Sequence, residues 1–271
     1  MNSNSVIEGR LNKLRSAGKK GLITFITAGD PDLFSTVDLA LRMDAAGADI
    51  IELGVPFSDP LADGPVIQQA SNRALAAGTT LAKILETVKT IKRNCGAPVV
   101  LMGYCNPFYR FGLDRFIAEA ASAGVSGLIV PDLPLEESGP LLRLAEKEGL
   151  DLIPLVSPVT TEQRLSRIAP KAMGFVYCVS VTGVTGARKE IGTDISGFTG
   201  RVRSHTSLPL AIGFGIADPE QGARMSRYCD AIVVGSAIVK LIADSASSQA
   251  AGIAVENLTR EFKTALLNSV K

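Results

Sequence analysis

The sequence predicts an α/β fold, a (β/α)8 barrel formed as one domain over residues 1–271, on three observations. Short apolar runs recur eight times, each bounded by Gly, Pro or Asp. Amphipathic stretches of helical length separate them, the alternation that builds a parallel sheet. The runs read as continuously apolar, as strands covered on both faces do, and 271 residues is a length that α/β barrels use as one unit.

An extra N-terminal helix is expected over Ile7 to Ala17, ahead of the first strand, LITFITA from Leu22. IIELG from Ile50, PVVLMG from Pro98 and GLIV from Gly127 supply strands two to four. LIPLV from Leu152, GFVYCVS from Gly174, LPLAIG from Leu208 and AIVVG from Ala231 supply the other four. Crossover helices are expected at Leu33 to Ala46, Thr80 to Arg93, Leu113 to Ala123, Glu136 to Glu148, Thr161 to Ile168 and Pro219 to Tyr228. A short helix, AIVKLI, follows the eighth strand, and one over Glu256 to Leu267 closes the outer ring. A doubly wound open sheet is the competing architecture, but no GxGxxG turn follows the first strand to support it. No composition shift or linker marks a second domain.

Hydrophobic residues make up 46% of the chain and charged residues 20%, with a net charge of +1, so the basic stripe that nucleic-acid binding needs is missing. A small neutral or anionic ligand fits better. No segment is long and apolar enough to span a bilayer, and MNSNSVIEGRLNKL lacks the apolar core of a signal peptide. Cys95, Cys105, Cys178 and Cys229 are scattered without CxxC spacing, which reads as reduced thiols in a cytoplasmic protein rather than a disulfide or zinc site. The single histidine, His205, lies in the polar stretch RVRSHTS and reads as structural. No metal and no bound cofactor is expected.

Barrel active sites lie where the strands end at their C-termini. Strands one to six leave through Thr27 and Asp30, Glu52, Tyr104 and Asn106, Asp132, Ser157, and Tyr177 and Ser180; the last two end in glycine. No lysine stands there for a Schiff base, and no histidine for zinc-assisted enolate chemistry. Glu52 sits inside an apolar run, where low dielectric raises a carboxyl pKa toward the range useful for proton transfer. A buried Glu–Arg pair is the structural alternative, and no basic residue flanks Glu52. Asp59, before Pro60, reads as a turn residue; Asp63, before Gly64, reads equally as a turn former or a functional carboxylate. Gly213-Phe214-Gly215 and Gly235-Ser236-Ala237, the latter opening a helix, follow strands seven and eight, where barrels frequently bind phosphate.

ELGVPFSDPLADGP from Glu52, the preceding TFITAGDPD, PDLPLEES from Pro131, SVTGVTG from Ser180, GFGI from Gly213 and GSAIVK from Gly235 resemble the tryptophan synthase alpha chain family. The motifs run in order through nearly the whole chain. The resemblance implies a lyase of tryptophan biosynthesis that cleaves indole-3-glycerol phosphate to indole and glyceraldehyde 3-phosphate without a cofactor. It also implies a pyridoxal-phosphate beta chain as partner, in an alpha2-beta2 tetramer. By the same resemblance Glu52 is the acid and base, Asp63 holds the indole nitrogen, and Tyr177 lies beside them. Phosphate contacts fall on Gly186, Gly215, Gly235 and Ser236, and Phe25, Tyr104, Ile129 and Phe214 wall the indole. Thr185 is the lid threonine, expected to bond Asp63 when Gly183 to Asp194 closes over substrate. Pro56, Phe57 and Pro60 are expected to meet the beta chain. Proton transfer by one carboxyl and charge balance by the other require different pKa values. Three alternatives stay open: another phosphate-binding barrel, a catalytically silent activator of a partner enzyme, and a free-standing indole-releasing lyase.

Overall fold

A computed structural model of the chain describes residues 5–179, 194–213 and 215–269. The strands are β1 (Gly21–Thr27), β2 (Ile50–Gly54), β3 (Val99–Met102), β4 (Val125–Ile129), β5 (Asp151–Leu152), β6 (Leu155–Val156), β7 (Val176–Val179), β8 (Leu210–Gly213) and β9 (Ala231–Val234). They form one parallel sheet in the order β5-β4-β3-β2-β1-β9-β8-β7-β6. The two ends of that order are halves of one stretch of chain. Between them, the Ile153 N–H donates to the Leu128 carbonyl on β4 (2.9 Å), and the Pro154 carbonyl accepts from the Tyr177 N–H on β7 (3.0 Å). The sheet therefore closes on itself, and the expected fifth strand exists but is split. Pro154 has no N–H to give the ladder, which is why pairing lapses there.

Side chains alternate along each strand between two apolar layers. Ile23, Phe25, Val100, Met102, Ile129 and Tyr177 belong to a cluster inside the barrel. Leu22, Ile26, Ile51, Leu53, Leu101 and Leu128 belong to a second cluster, beneath the helices. The helices are α1 (Val6–Ser16), α2 (Leu33–Ala45), α3 (Pro65–Ala76), α4 (Leu81–Lys92), α5 (Cys105–Phe111) and α6 (Leu113–Ala123). After them come α7 (Gly139–Glu148), α8 (Glu162–Ile168), α9 (Ile195–Arg203), α10 (Pro219–Ser226), α11 (Ser236–Asp244) and α12 (Ser248–Asn268). Asp32, Thr80, Thr161 and Asp218 start α2, α4, α8 and α10 by accepting a backbone N–H three residues on. No described helix is long and apolar enough to cross a membrane.

α1 stops the N-terminal end of the barrel. Ile7 and Leu11 are 0% and 1% exposed and belong to the interior cluster, a burial that contributes roughly 3 to 6 kcal/mol for the two side chains. Glycines on the strands admit them: a Cβ on Gly21 would lie 2.9 Å from Leu11 Cδ2, and one on Gly127 2.9 Å from Ile7 Cδ1.

Three helices, α3, α5 and α9, stand outside the sequence expectation. α3 begins on Pro65, whose missing N–H costs nothing in a first turn, so the turn at Asp63-Gly64 runs directly into a helix start. α5 has seven residues, too few for a period to show. α12 begins at Ser248 rather than Glu256, with Ser247 as its cap, and α7 begins at Gly139 rather than Glu136.

Candidate active site

Glu52 is the third residue of β2, in register with Phe25 on β1 and Val100 on β3, and it shares their inward face. It is 0% exposed. Neither carboxyl oxygen has a hydrogen-bond partner among the described residues, so no arginine pairs with it. Burial alone pushes its pKa up to about 8.

Asp63 reaches the same pocket from the loop between β2 and α3. Its backbone forms the turn: its N–H donates to the Pro60 carbonyl (3.0 Å), and its own carbonyl accepts from Gln68 Nε2 (2.9 Å). Its carboxylate accepts a hydrogen bond from the Tyr104 hydroxyl at 3.0 Å. One residue thus both forms the turn and places its carboxylate in the pocket. Burial raises its pKa to about 6, and the Tyr104 hydrogen bond opposes the rise. At neutral pH Glu52 is therefore mostly protonated and Asp63 mostly ionised.

Tyr104, expected in the wall, also braces the loop. Its hydroxyl accepts the Ala62 N–H at 3.0 Å, and its ring lies 5.4 Å from that of Phe57. Tyr177 lines the pocket with both acids; burial, then the charges of Glu52 and Asp63, push its phenol well above the ordinary value, so it stays neutral. Gly213 makes room for that phenol, since a Cβ there would fall 2.2 Å from the Tyr177 hydroxyl. Phe25, Met102, Val233, Ile67 and Ile216 give the pocket its apolar surface. Gly215, Gly235 and Ser236 line it as well. There α11 starts from Gly235 with no side-chain cap, leaving first-turn N–H groups for an anion.

Several expected residues lie elsewhere. Ile129 is 0% exposed in the interior cluster with Phe25 and Tyr177, and does not line the pocket. Thr185, Gly186 and Phe214, with Ser180 and the expected lid up to residue 193, lie outside the described residues. Asp194, the last residue of that lid stretch, caps α9 through the Gly197 N–H at 2.9 Å. Asp30 forms a two-pronged pair with Arg73 on α3, both contacts 2.8 Å, and Asp132 accepts the Cys105 N–H at 2.9 Å where α5 begins. Asp59 is exposed, as a turn residue should be. Pro56 is buried, and Phe57 and Pro60 are half-buried, so the loop's outward apolar surface is Leu61 instead, 88% exposed. Ile67, Met102, Ile216 and Val233 line the pocket beyond the residues the sequence points to; strand parity signals Met102 and Val233, but nothing local signals the other two. A larger recess of about 480 Å³ between Leu142 of α7 and Ile168 of α8 contains neither Glu52 nor Asp63.

A closed barrel with two carboxyls and an uncapped helix start in one pocket has the layout of barrel enzymes that run acid–base chemistry on anionic ligands. The sequence profile described as tryptophan synthase alpha chain matches residues 11–267. The tryptophan synthase alpha chain of Geotalea uraniireducens is 51% identical over 228 residues, 84% of this chain and 85% of that one. That of Caldanaerobacter subterraneus subsp. tengcongensis is 51% identical over 237 residues, 88% of this chain and 90% of that one. Among solved structures, tryptophan synthase subunit alpha from Legionella pneumophila superposes with a TM-score of 0.89 at 35% identity, covering 98% of this chain and 100% of that one. Mycobacterium tuberculosis tryptophan synthase gives a TM-score of 0.89 at 34% identity, covering 97% and 99%. The chain belongs to the tryptophan synthase alpha chain family.

Proposed function

We propose that Glu52 and Asp63 divide the chemistry of this family's lyase reaction, the cleavage of indole-3-glycerol phosphate in tryptophan biosynthesis. The bond to break joins indole C3 to the glycerol chain. Glu52, kept protonated by burial, gives its proton to C3, and the ring nitrogen becomes cationic. Asp63, ionised and steadied by Tyr104, accepts the nitrogen's N–H and balances that charge. The Glu52 carboxylate then takes the proton of the hydroxyl on the adjoining carbon. As that carbon becomes a carbonyl, the C–C electrons return to the ring, releasing indole and glyceraldehyde 3-phosphate, and Glu52 is protonated again.

The observation that carries this reading is two carboxyls in one pocket with pKa values near 8 and near 6. Phosphate is assigned to Gly215, Gly235 and Ser236 at the start of α11, with Gly186. Phe25, Tyr104 and Phe214 are assigned to the indole walls, with Ile129 supporting Phe25 from the core. Thr185 is assigned to a hydrogen bond with Asp63 in the substrate complex. The partner is a tryptophan synthase beta chain, which we place against the loop bearing Leu61, in an alpha2-beta2 tetramer in the cytoplasm. Indole release by Glu52→Gln and Asp63→Asn tests the assignment. Glu52→Gln keeps the shape but cannot exchange protons, and loses at least roughly 100- to 10,000-fold. Asp63→Asn also disables turnover, and both proteins stay folded. Most of the activity surviving in Glu52→Gln would show that the acid and base lie elsewhere.

A further inference from the structure

Asp30 and Arg73 form an ion pair that the reaction above does not use, and neither lines the pocket. Asp30 follows β1 and is 2% exposed. Arg73 stands on the last turn of α3 and meets both oxygens of that carboxylate at 2.8 Å. A planar fork of this kind fixes distance and angle together, which a single contact does not. Gly29, beside Asp30, packs so closely on Thr79, just past α3, that a Cβ there would overlap it. The C-terminal end of α3 is thus locked to the exit of β1.

The other end of α3 holds the loop that presents Asp63. Gln68 donates its backbone N–H to the Gly64 carbonyl at 3.0 Å and its side-chain Nε2 to the Asp63 carbonyl at 2.9 Å. Between the two ends, the face that α3 buries consists of Ile67, Ala70, Ser71 and Ala74. Three of these four are small, so the face offers little relief against sliding along the helix axis or turning about it. The two-pronged pair supplies that constraint. Only five residues, about 7.5 Å of helix, separate Arg73 from Gln68. A hydrogen-bonded helix of that length moves as a body, and a shift at one end arrives at the other.

We propose that the Asp30–Arg73 pair sets the position of α3 and, through Gln68, the position of the Asp63 carboxylate, making Asp30, Arg73 and Gln68 positioning residues for the reaction. Tyr104 steadies the carboxylate itself, and Gln68 steadies the backbone from which it springs. The pair contributes geometry rather than charge, because a stabilising group works only where the charge develops. The proposal rests on reading Asp63 as the carboxylate at the indole nitrogen.

Asp30→Asn keeps the shape, breaks the fork and leaves no charge unpaired in the interior, since Arg73 is 39% exposed. Arg73→Lys keeps the charge and loses the fork. Gln68→Met keeps the length and loses the amide. The test is kcat and KM for indole release by the full chain, measured for these three variants, for Asp30→Asn combined with Gln68→Met, for Asp63→Asn and for the unmodified protein, with urea unfolding of each to express rates per folded chain. Each of the three lowers kcat by about 10- to 100-fold. KM stays within about twofold, because the lost interaction belongs to the transition state and α11, which takes the phosphate, packs on β1 and α12 as well as on α3. The combined variant is no slower than its slower parent, because both changes act through one carboxylate. An unchanged kcat in Asp30→Asn or Gln68→Met, losses that multiply in the combined variant, or a loss confined to KM or to the unfolding midpoint overturns the proposal. If Asp63→Asn is inactive while the other variants turn over normally, the α3 anchor alone fails; if Asp63→Asn turns over normally, the reading of Asp63 fails with it.

Discussion

Replacing Glu52 by glutamine changes the pH dependence of stability in a direction and by an amount that the burial of this carboxyl sets. In the unfolded chain Glu52 releases its proton near its ordinary value of 4.5, whereas in the folded chain it keeps the proton to about 8. Between those values the folded state binds one proton more than the unfolded state, so stability falls as pH rises. Each unit contributes about 1.36 kcal/mol. The loss is thus about 3 kcal/mol by pH 7 and about 4 kcal/mol by pH 8, approaching about 5 kcal/mol above it, with the full contribution present below pH 4.5. Glutamine does not titrate and shows none of it. Its amide brings a dipole into a site without partners, a constant penalty of roughly 1 to 3 kcal/mol, so the slope and not the offset is the signature. Asp63 and Asp151, also raised to about 6, act in both proteins and cancel in the difference. Urea unfolding of the two proteins at half-unit steps from pH 4.5 to 8.5 reads the difference directly. Glu52→Gln should gain on the parent steadily across that interval and level off above pH 8. A stability difference that stays constant with pH would refute a buried, proton-holding Glu52.

Turnover itself should follow a bell. The acid limb of kcat/KM lies near pH 6, where Asp63 ionises, and the basic limb near pH 8, where Glu52 loses its proton; steady-state indole release over pH 5 to 9 measures both. An acid limb near pH 4 would mean that Asp63 is solvated in the working enzyme. At the phosphate end, Gly235→Val adds a branched side chain where α11 begins, in a pocket that Gly235 lines. A Cβ there meets Phe25 at 3.4 Å, so free indole loses some affinity too; calorimetric affinity for indole-3-glycerol phosphate should fall further, and equal losses for both would place the phosphate elsewhere.

What was legible in the sequence follows the range over which each feature is specified. Continuous apolar runs mark strands locally, and each run read from the sequence proved to be a strand; the split of LIPLV follows from Pro154 itself. Glu52 was legible because its surroundings are its own strand, an acid among apolar neighbours. Asp63 was ambiguous because one residue serves two purposes, turn and pocket, and its partner Tyr104 lies 41 positions away. Asp30 and Asp132, at equally prominent strand exits, are held by Arg73 and by the start of α5, neither visible from their own neighbourhoods. α3 was hidden by the same Pro and Gly that mark the loop before it, and with it went Ile67, which reaches the pocket only once α3 exists.

A difference of about two pKa units between the acids is itself a nonlocal property. Both carboxyls are raised by burial, so burial alone does not assign them different tasks. The separation comes from residue type, depth and partners together: a glutamate starts higher than an aspartate, Glu52 is fully buried where Asp63 is half-buried, and among the described residues Asp63 alone of the two has a partner, the Tyr104 hydroxyl. That hydroxyl in turn is held by the Ala62 N–H, one residue before Asp63, so the loop that presents the carboxylate also fixes its donor. Any force that lifts residues 57 to 63 from the barrel therefore acts on the ionisation of Asp63 and on the packing of Phe57 against Tyr104 at once. The exposed Leu61 sits in that same loop. A partner that grips Leu61 has a short mechanical route to the carboxylate, through the Ala62 N–H and the Tyr104 hydroxyl, without touching the pocket.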